Sequence, residues 1–370
     1  MFITIIAFLA ILTVLVLIHE LGHYLVARKF GIKVEEFGFG FPPRVWGKKI
    51  GETLYSINAL PIGGFVKLYG EDEAGGGKIK PSAISHKPSA DLQRAFFSKP
   101  RYQRVLVIVA GVAMNFLLAF LIATYLLTFE GIPQDAENVL ITDVVESSPA
   151  SLAGIKKGDV VEKINNVSIK DAPALVSETK KHLGEEITVV VKRGEGTETI
   201  ILTPRKDYPK DQGPIGIGIS QNIVLTKYPF PQSLYYGAKQ TITDSVLVVK
   251  GFVDVVKTII TQFTVPTGVA GPVGMAQLTG EFVKIGPTAV LGLIYMLSLS
   301  LAVLNILPIP ALDGGRLLFI VIEAVTRRKV NPNYEAYAHM VGIILLLAFL
   351  ALVSYKDILR IVSGQSIFPQ

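Results

Sequence analysis

The stretch FITIIAFLAILTVLVLIHELGH, residues 2–23, runs from Phe2 to Ile18 without a charge and then sets His19, Glu20 and His23 at its end. An ionisable group at mid-bilayer costs roughly 3 kcal/mol on insertion scales, so a span carrying three of them must coordinate something or face a wet cavity. On a helix, residues four apart share one face, and the next residue lies about 100° round. That puts the His19 and His23 imidazoles side by side with the Glu20 carboxylate next to them, the HExxH arrangement of a zinc site with a general base. Zinc binding on the order of 10 kcal/mol offsets the cost of placing these groups in lipid. The competing reading ends the span at His19 and leaves the three polar residues among the headgroups.

Composition fits a membrane chain. Half of the 370 residues are hydrophobic and the mean hydropathy is +0.48, well above an ordinary soluble domain. Residues 2–18 have no basic flank and no small-residue cleavage site, so they read as a retained span. Three further apolar runs, Val105 to Leu127, Ala289 to Leu307 and Tyr337 to Val353, are each near the ~20 residues that a bilayer requires. Lys and Arg concentrate between Arg28 and Arg104 and at Arg327, Arg328 and Lys329. The positive-inside rule therefore predicts that both connections are cytoplasmic and that both termini and the segment between spans two and three lie outside. The net charge of +6 follows from that bias, and the scattered basic residues form no nucleic-acid stripe. With no cysteine, a metal site must use nitrogen and oxygen.

The first cytoplasmic loop alternates Phe37, Phe39 and Phe41 with Gly38 and Gly40. As a strand this leaves nearly bare backbone on one face, a surface suited to the addition of an extended peptide at Gly38 and Gly40. Strand-like runs at Thr53–Ala59 and Gly64–Tyr69, broken by Pro61 and Gly63, complete a small re-entrant sheet. The plainer alternative is a glycine-rich hairpin with no substrate role. Residues Glu71 to Lys87 read as a polar connection. In the outer segment, SSPASLAGIKKGDVVEKINNVSI (residues 147–169), followed by the strands Val189–Lys192 and Thr199–Leu202 and the closing GPIGIGIS, resembles a circularly permuted PDZ domain. That likeness implies peptide binding or a steric screen over the membrane site. Beyond it, Tyr235, Lys239, Val246, Val249, Val253, Val256 and Ile260 recur at helical spacing. They predict an amphipathic helix that lies on the outer leaflet, on the spans or on the outer domain.

Two histidines leave a catalytic zinc one protein ligand short. Of the other histidines, His86 and His182 sit in polar segments, and His339 near Glu335 reads as satisfying a local hydrogen bond. The candidate is Asp313 in NILPIPALDGGR, residues 305–316, where Pro308 and Pro310 break the third span. A helix-terminating Asp-Gly turn explains that residue equally well. HELGH, NILPIPALDGG, LPIGGFVKLYGEDE and AGVAMNF together resemble the site-2 protease family of intramembrane zinc metalloproteases, in its bacterial group with one PDZ domain. The resemblance covers nearly the whole chain. Val112 departs from it, standing where the group often has proline.

The likeness implies Zn2+ held by His19, His23 and Asp313, Glu20 as general base, and Asn305 positioning substrate. It implies single-span membrane proteins as substrates, either anti-sigma-factor-like regulators or signal-peptide remnants, cleaved in a bacterial inner membrane towards its cytoplasmic side. The expected fold is a polytopic α-helical membrane protein with four transmembrane helices, a small membrane-associated β-sheet and an extracytoplasmic α+β PDZ domain. Its expected boundaries are a first span at 1–30, a loop with the sheet at 31–103, a second span at 104–128, the PDZ domain at 129–222 and an amphipathic helix with linker at 223–288. A third span at 289–316, a connection at 317–333, a fourth span at 334–356 and a tail at 357–370 complete it. Three rival readings are a membrane-anchored PDZ scaffold without catalysis, a transporter, which predicts half-repeats that are not visible here, and a zinc peptidase of soluble peptides.

Overall fold

The computed structural model describes residues 2–71, 92–209, 212–262, 264–266, 268–328 and 330–363. The readings placed on His86, on Lys329 and on most of the polar connection from Glu71 to Lys87 therefore lie outside the described residues, as does the end of the tail. The chain forms two compact units, Met1–Leu126 with Phe230–Gln370, and Leu127–Pro229. In chain order the elements are α1 (Phe2–Lys29), β1 (Val34–Ile50), β2 (Thr53–Leu68), α2 (Arg101–Tyr125), β3 (Ile132–Val144), α3 (Pro149–Leu152), β4 (Val160–Ile164), β5 (Val167–Ser168) and α4 (Ala172–Lys181). They continue with β6 (Ile187–Arg193), β7 (Gly196–Leu202), β8 (Ile217–Thr226), α5 (Gln232–Gln262), α6 (Pro272–Ile285), α7 (Pro287–Ile306), α8 (Asp313–Thr326) and α9 (Pro332–Val362).

Among the described residues, four helices are long and apolar enough to cross a bilayer: Ile3–Lys29, Arg101–Glu130, Pro287–Ile306 and Asn333–Val362. The chain is a multi-pass membrane protein. In lipid a backbone must satisfy its own hydrogen bonds, so runs rich in β-branched Ile and Val still fold as helices. His19 lies 17 residues along α1, or roughly 26 Å. That is close to the far edge of a hydrocarbon layer about 30 Å thick.

The loop after α1 is a bent hairpin in which β1 and β2 each serve two lanes. Phe37 pairs with both Val66 and Tyr55, and Gly38 with both Phe65 and Ser56, while Lys48 pairs with Tyr55. The lanes thus run in the order 46–50, 53–57, 36–39, 64–68. The sequence suggested separate strands broken at Pro61 and Gly63, but here the break is a bend within one long strand. Thr53 Oγ1 donates to Val34 O at 3.0 Å, and Asn58 Nδ2 donates to Gly40 O at 3.0 Å, holding the lanes together. Beneath them Tyr24 and Ala27 of α1 pack with Ile32, Val34, Leu68 and Val107. Val45, Trp46 and Ile50 on an outer lane are exposed, as suits a sheet resting against lipid.

Two further expectations are corrected. The connection read at 317–333 is largely α8, because the apolar run after Asp313 has helical spacing and its Glu323 is neutralised by Arg104 at 2.6 Å. The linker expected before residue 288 contains α6. Its first turn is capped by Asp357 of α9, whose Oδ2 accepts from Gly271 N at 2.8 Å and Gly274 N at 2.7 Å, a favoured place for a buried carboxylate. The amphipathic α5 packs on α2 and α7, and Tyr295 of α7 donates to its Asp244 at 2.6 Å.

The second unit is a six-stranded sheet of order β7-β6-β4-β3-β8, with β5 beside β4. Alternate residues of β6 turn inward, and Val139, Ile141, Ile164, Val189 and Val191 form its core with Leu175 from α4. Asp159 is buried in this unit. Burial pushes its carboxyl up, but Arg193 at 2.6 and 2.7 Å and the Lys156 N–H at 2.9 Å outweigh that and hold it below the usual carboxylate range. A depressed folded pKa stabilises above the unfolded value, about 3.9, and the gain is lost as pH falls through the folded pKa. Asp159→Asn is expected to destabilise this unit by about 2 kcal/mol at pH 7. Hydrogen exchange of the β4 and β6 amides should show the gap closing below about pH 4.

Candidate metal centre

His19, Glu20 and His23 sit mid-helix in α1, where one turn separates the two imidazoles. Asp313 reaches them from the first turn of α8. Span α7 stops at Ile306, Leu307 turns extended, and Pro308 and Pro310 keep the chain non-helical until Ala311, which takes a positive φ of 83°. His339 of α9 steadies this break, its Nδ1 accepting from Ala311 N at 3.0 Å. His339 therefore holds the loop and is not among the clustered metal-type residues. His182 pairs with Glu178 and Glu185 in the second unit.

The three donor atoms converge. His19 Nε2 and His23 Nε2 are 3.1 Å apart, and Asp313 Oδ2 is 2.9 Å from the first and 3.2 Å from the second. His23 Nδ1 lies 2.8 Å from Val107 O. A carbonyl only accepts, so Nδ1 carries the proton and the Nε2 lone pair points into the cluster. Asp313 Oδ2 is buried against the two imidazole nitrogens, an arrangement of lone pairs that one shared cation satisfies. Ligands about 2.0 Å from a tetrahedral zinc lie about 3.3 Å from one another. The observed spacings and the nitrogen and oxygen donor set fit that ion. Helix α2 closes over the rings at Gly111, where an added Cβ would fall 2.3 Å from His23 Nε2. No other residue lets α2 lie this close.

Glu20 Oε2 accepts a hydrogen bond from Val66 N at 3.0 Å, which aims the carboxylate along the outer lane of the hairpin. On that side a cavity of about 400 Å³ is lined by Glu20, His23, Phe65, Val66, Asp313 and Arg316, among others. On the other side a cavity of about 210 Å³ is lined by His19, Glu20, Asn115, Asn305 and Asp313, with Val16, Leu301, Ala311 and Leu312. The structure thus gathers His19, Glu20, His23, Asn305 and Asp313 in one place. Gly38 and Gly40 do not line either cavity, although Phe41 and Pro42 beside Gly40 line the larger one, and Gly40 packs against Leu60 O. Gly38 is paired on both sides, Phe65 lies across its bare face, and both glycines are buried. Of the two edge lanes, 46–50 and 64–68, it is 64–68 that borders the cavity. Sequence reasoning also missed Glu71, which accepts from Leu68 N at 3.2 Å and from Arg316 at 2.5 Å. An arginine one turn after Asp313 was the available signal.

The family model described as Peptidase family M50 matches residues 7–349. The chain is 31% identical to the regulator of sigma-W protease RasP of Bacillus subtilis, over 97% of this chain and 99% of that one. It is also 31% identical to the zinc metalloprotease RasP of Bacillus licheniformis, again over 97% of this chain and 99% of that one.

Proposed function

The chain belongs to Peptidase family M50, and from that premise we propose that it is a zinc-dependent endopeptidase that cuts transmembrane segments of single-span membrane proteins. The observation that carries this reading is the convergence of His19, His23 and Asp313 donor atoms beside Glu20, the first two on a helix long and apolar enough to cross the membrane and the third on α8, which follows the break after another. His19, His23 and Asp313 would hold zinc, which when bound supplies Lewis acidity towards a carbonyl oxygen and makes water easier to deprotonate. Glu20 takes the proton of the attacking water and returns it to the leaving amide nitrogen. Asn305, lining the same cavity, positions the substrate backbone.

A peptide bond inside a helix is shielded and its carbonyl already accepts a hydrogen bond, so the substrate must unwind before it is cut. The outer lane 64–68 can receive the unwound segment as an added strand. There the outward N–H groups of Val66 and Leu68, now held by Glu20 and Glu71, would turn to substrate carbonyls, and Glu20 would be released to its work. Val66→Pro, tolerable on an edge lane, is expected to lower cleavage about tenfold through loss of one hydrogen bond. Metal content, measured by mass spectrometry, should be unchanged.

By the charge bias of the loops, the centre faces the cytoplasm while the termini and the second unit lie outside. That unit resembles a PDZ domain and would screen out clients with bulky outer portions. The name of the Bacillus subtilis relative refers to sigma-W regulation, which agrees with single-span regulators as substrates.

The test is reconstitution of the pure protein in lipid with a single-span substrate and, in parallel, a soluble peptide of the same cut sequence. Cleavage confined to the membrane substrate, inside its apolar segment, and abolished by a zinc chelator supports the reading. Chelator-resistant turnover, or equal cutting of the soluble peptide, overturns it. A scaffold would cut neither.

A further inference from the structure

Asn115 is a buried amide with nothing to pair with. Its relative exposure is 0%, and neither Nδ2 nor Oδ1 has a hydrogen-bond partner among the described residues. Buried polar side chains are overwhelmingly satisfied, and an orphan of this kind calls for an account. It lies one helical turn beyond Gly111, on the face of α2 that covers the two imidazoles, and it lines the 210 Å³ cavity together with His19, Glu20, Asn305 and Asp313. Its backbone is held by α7, where Ser298 Oγ donates to Asn115 O at 2.8 Å. The amide is therefore held in position at the wall of the site.

Both halves of the amide are idle, one a donor and the other an acceptor. A carboxylate or a carbonyl alone would satisfy half of it, and an apolar side chain none. A backbone peptide group satisfies both, offering a carbonyl to Nδ2 and an N–H to Oδ1. Such a group becomes available only when a transmembrane helix has unwound. An intact helix has already spent its peptide hydrogen bonds internally, so the side chain discriminates between the two forms. We propose that Asn115 is a substrate-binding residue whose side-chain amide pairs with a backbone peptide group of the unwound segment, on the cavity side of the metal centre. This rests on the endopeptidase reading above, with Asn115 and Asn305 facing the substrate from α2 and α7.

The role makes an unusual pairing of outcomes. An amide that the resting fold leaves unpaired contributes nothing to that fold, so replacing it with an apolar residue of similar size is neutral or stabilising. Asn115→Leu is expected to raise or preserve the unfolding temperature and to keep wild-type zinc content, while kcat/KM for the single-span substrate falls about 100-fold. The second readout needs no turnover. In detergent, Glu20→Gln protein should co-purify with intact substrate, and the Glu20→Gln, Asn115→Leu double variant should lose that capture.

The inference is overturned if Asn115→Leu cleaves within threefold of wild type, if the double variant captures substrate as well as Glu20→Gln does, or if Asn115→Leu loses stability or zinc. Asn115→Ala is run beside it. Misfolding of both variants would mean that the amide serves the fold, which also defeats the proposal. Failure of the endopeptidase reading is separate, because it appears as absent or chelator-resistant cleavage by the wild-type protein itself.

Discussion

Glu20→Gln is expected to lower cleavage of a single-span substrate by about 10² to 10⁴-fold, while zinc remains bound at wild-type stoichiometry. General-base assistance is worth 10² to 10⁴ in rate, and a carboxamide cannot take the proton of an attacking water. The substitution is nearly isosteric and its oxygen can still accept from Val66 N, now 3.0 Å from the carboxylate. The hairpin, the cavity and the three donor atoms should therefore stay in place. Elemental analysis with a discontinuous cleavage assay separates chemistry from metal binding. Residual turnover above a hundredth of wild type would remove Glu20 from the role of base.

Asp313→Ala is expected to act through the metal instead. It removes one of three converging donors, and an equal share of roughly 10 kcal/mol of zinc affinity is about 3 kcal/mol, more than a hundredfold in retention. Dialysis against a weak chelator followed by metal analysis should show near-stoichiometric zinc in wild type and little in the variant. Wild-type retention of zinc by Asp313→Ala would exclude this ligand.

The parts of this protein that sequence made legible are those whose physics is local. The HELGH pentapeptide announces itself because three ionisable groups at helical spacing stand in an uncharged run, a placement that lipid penalises. The four long apolar helices follow from length and hydropathy alone. Asp313 was different. Its residues allow an ordinary Asp-Gly turn, and only the family likeness selected it, since no local rule links a loop after α7 to a face of α1. The lanes of the hairpin could not be read because β1 and β2 each pair twice, with register shifts at several points. Gly38 and Gly40 looked like an invitation to a peptide when they were room for Phe65 and for the neighbouring lane. Helix α8, at 14 residues, is too short to declare itself a span and too apolar to declare itself a loop. The Glu71–Arg316 bond and the idle amide of Asn115 are products of tertiary placement: an arginine one turn after Asp313 and an asparagine in AGVAMNF are visible along the chain, but not what each meets.

The two histidines belong to residues 19–23, but the aspartate that completes the cluster comes at residue 313. A ribosome adding 5 to 20 residues per second needs roughly 15 to 60 s to travel from one to the other. During that interval the nascent chain has its first helices in the bilayer and no assembled cleft. Proteolytic competence thus arrives late in synthesis, and a chain truncated anywhere before α8 lacks the third member of the cluster.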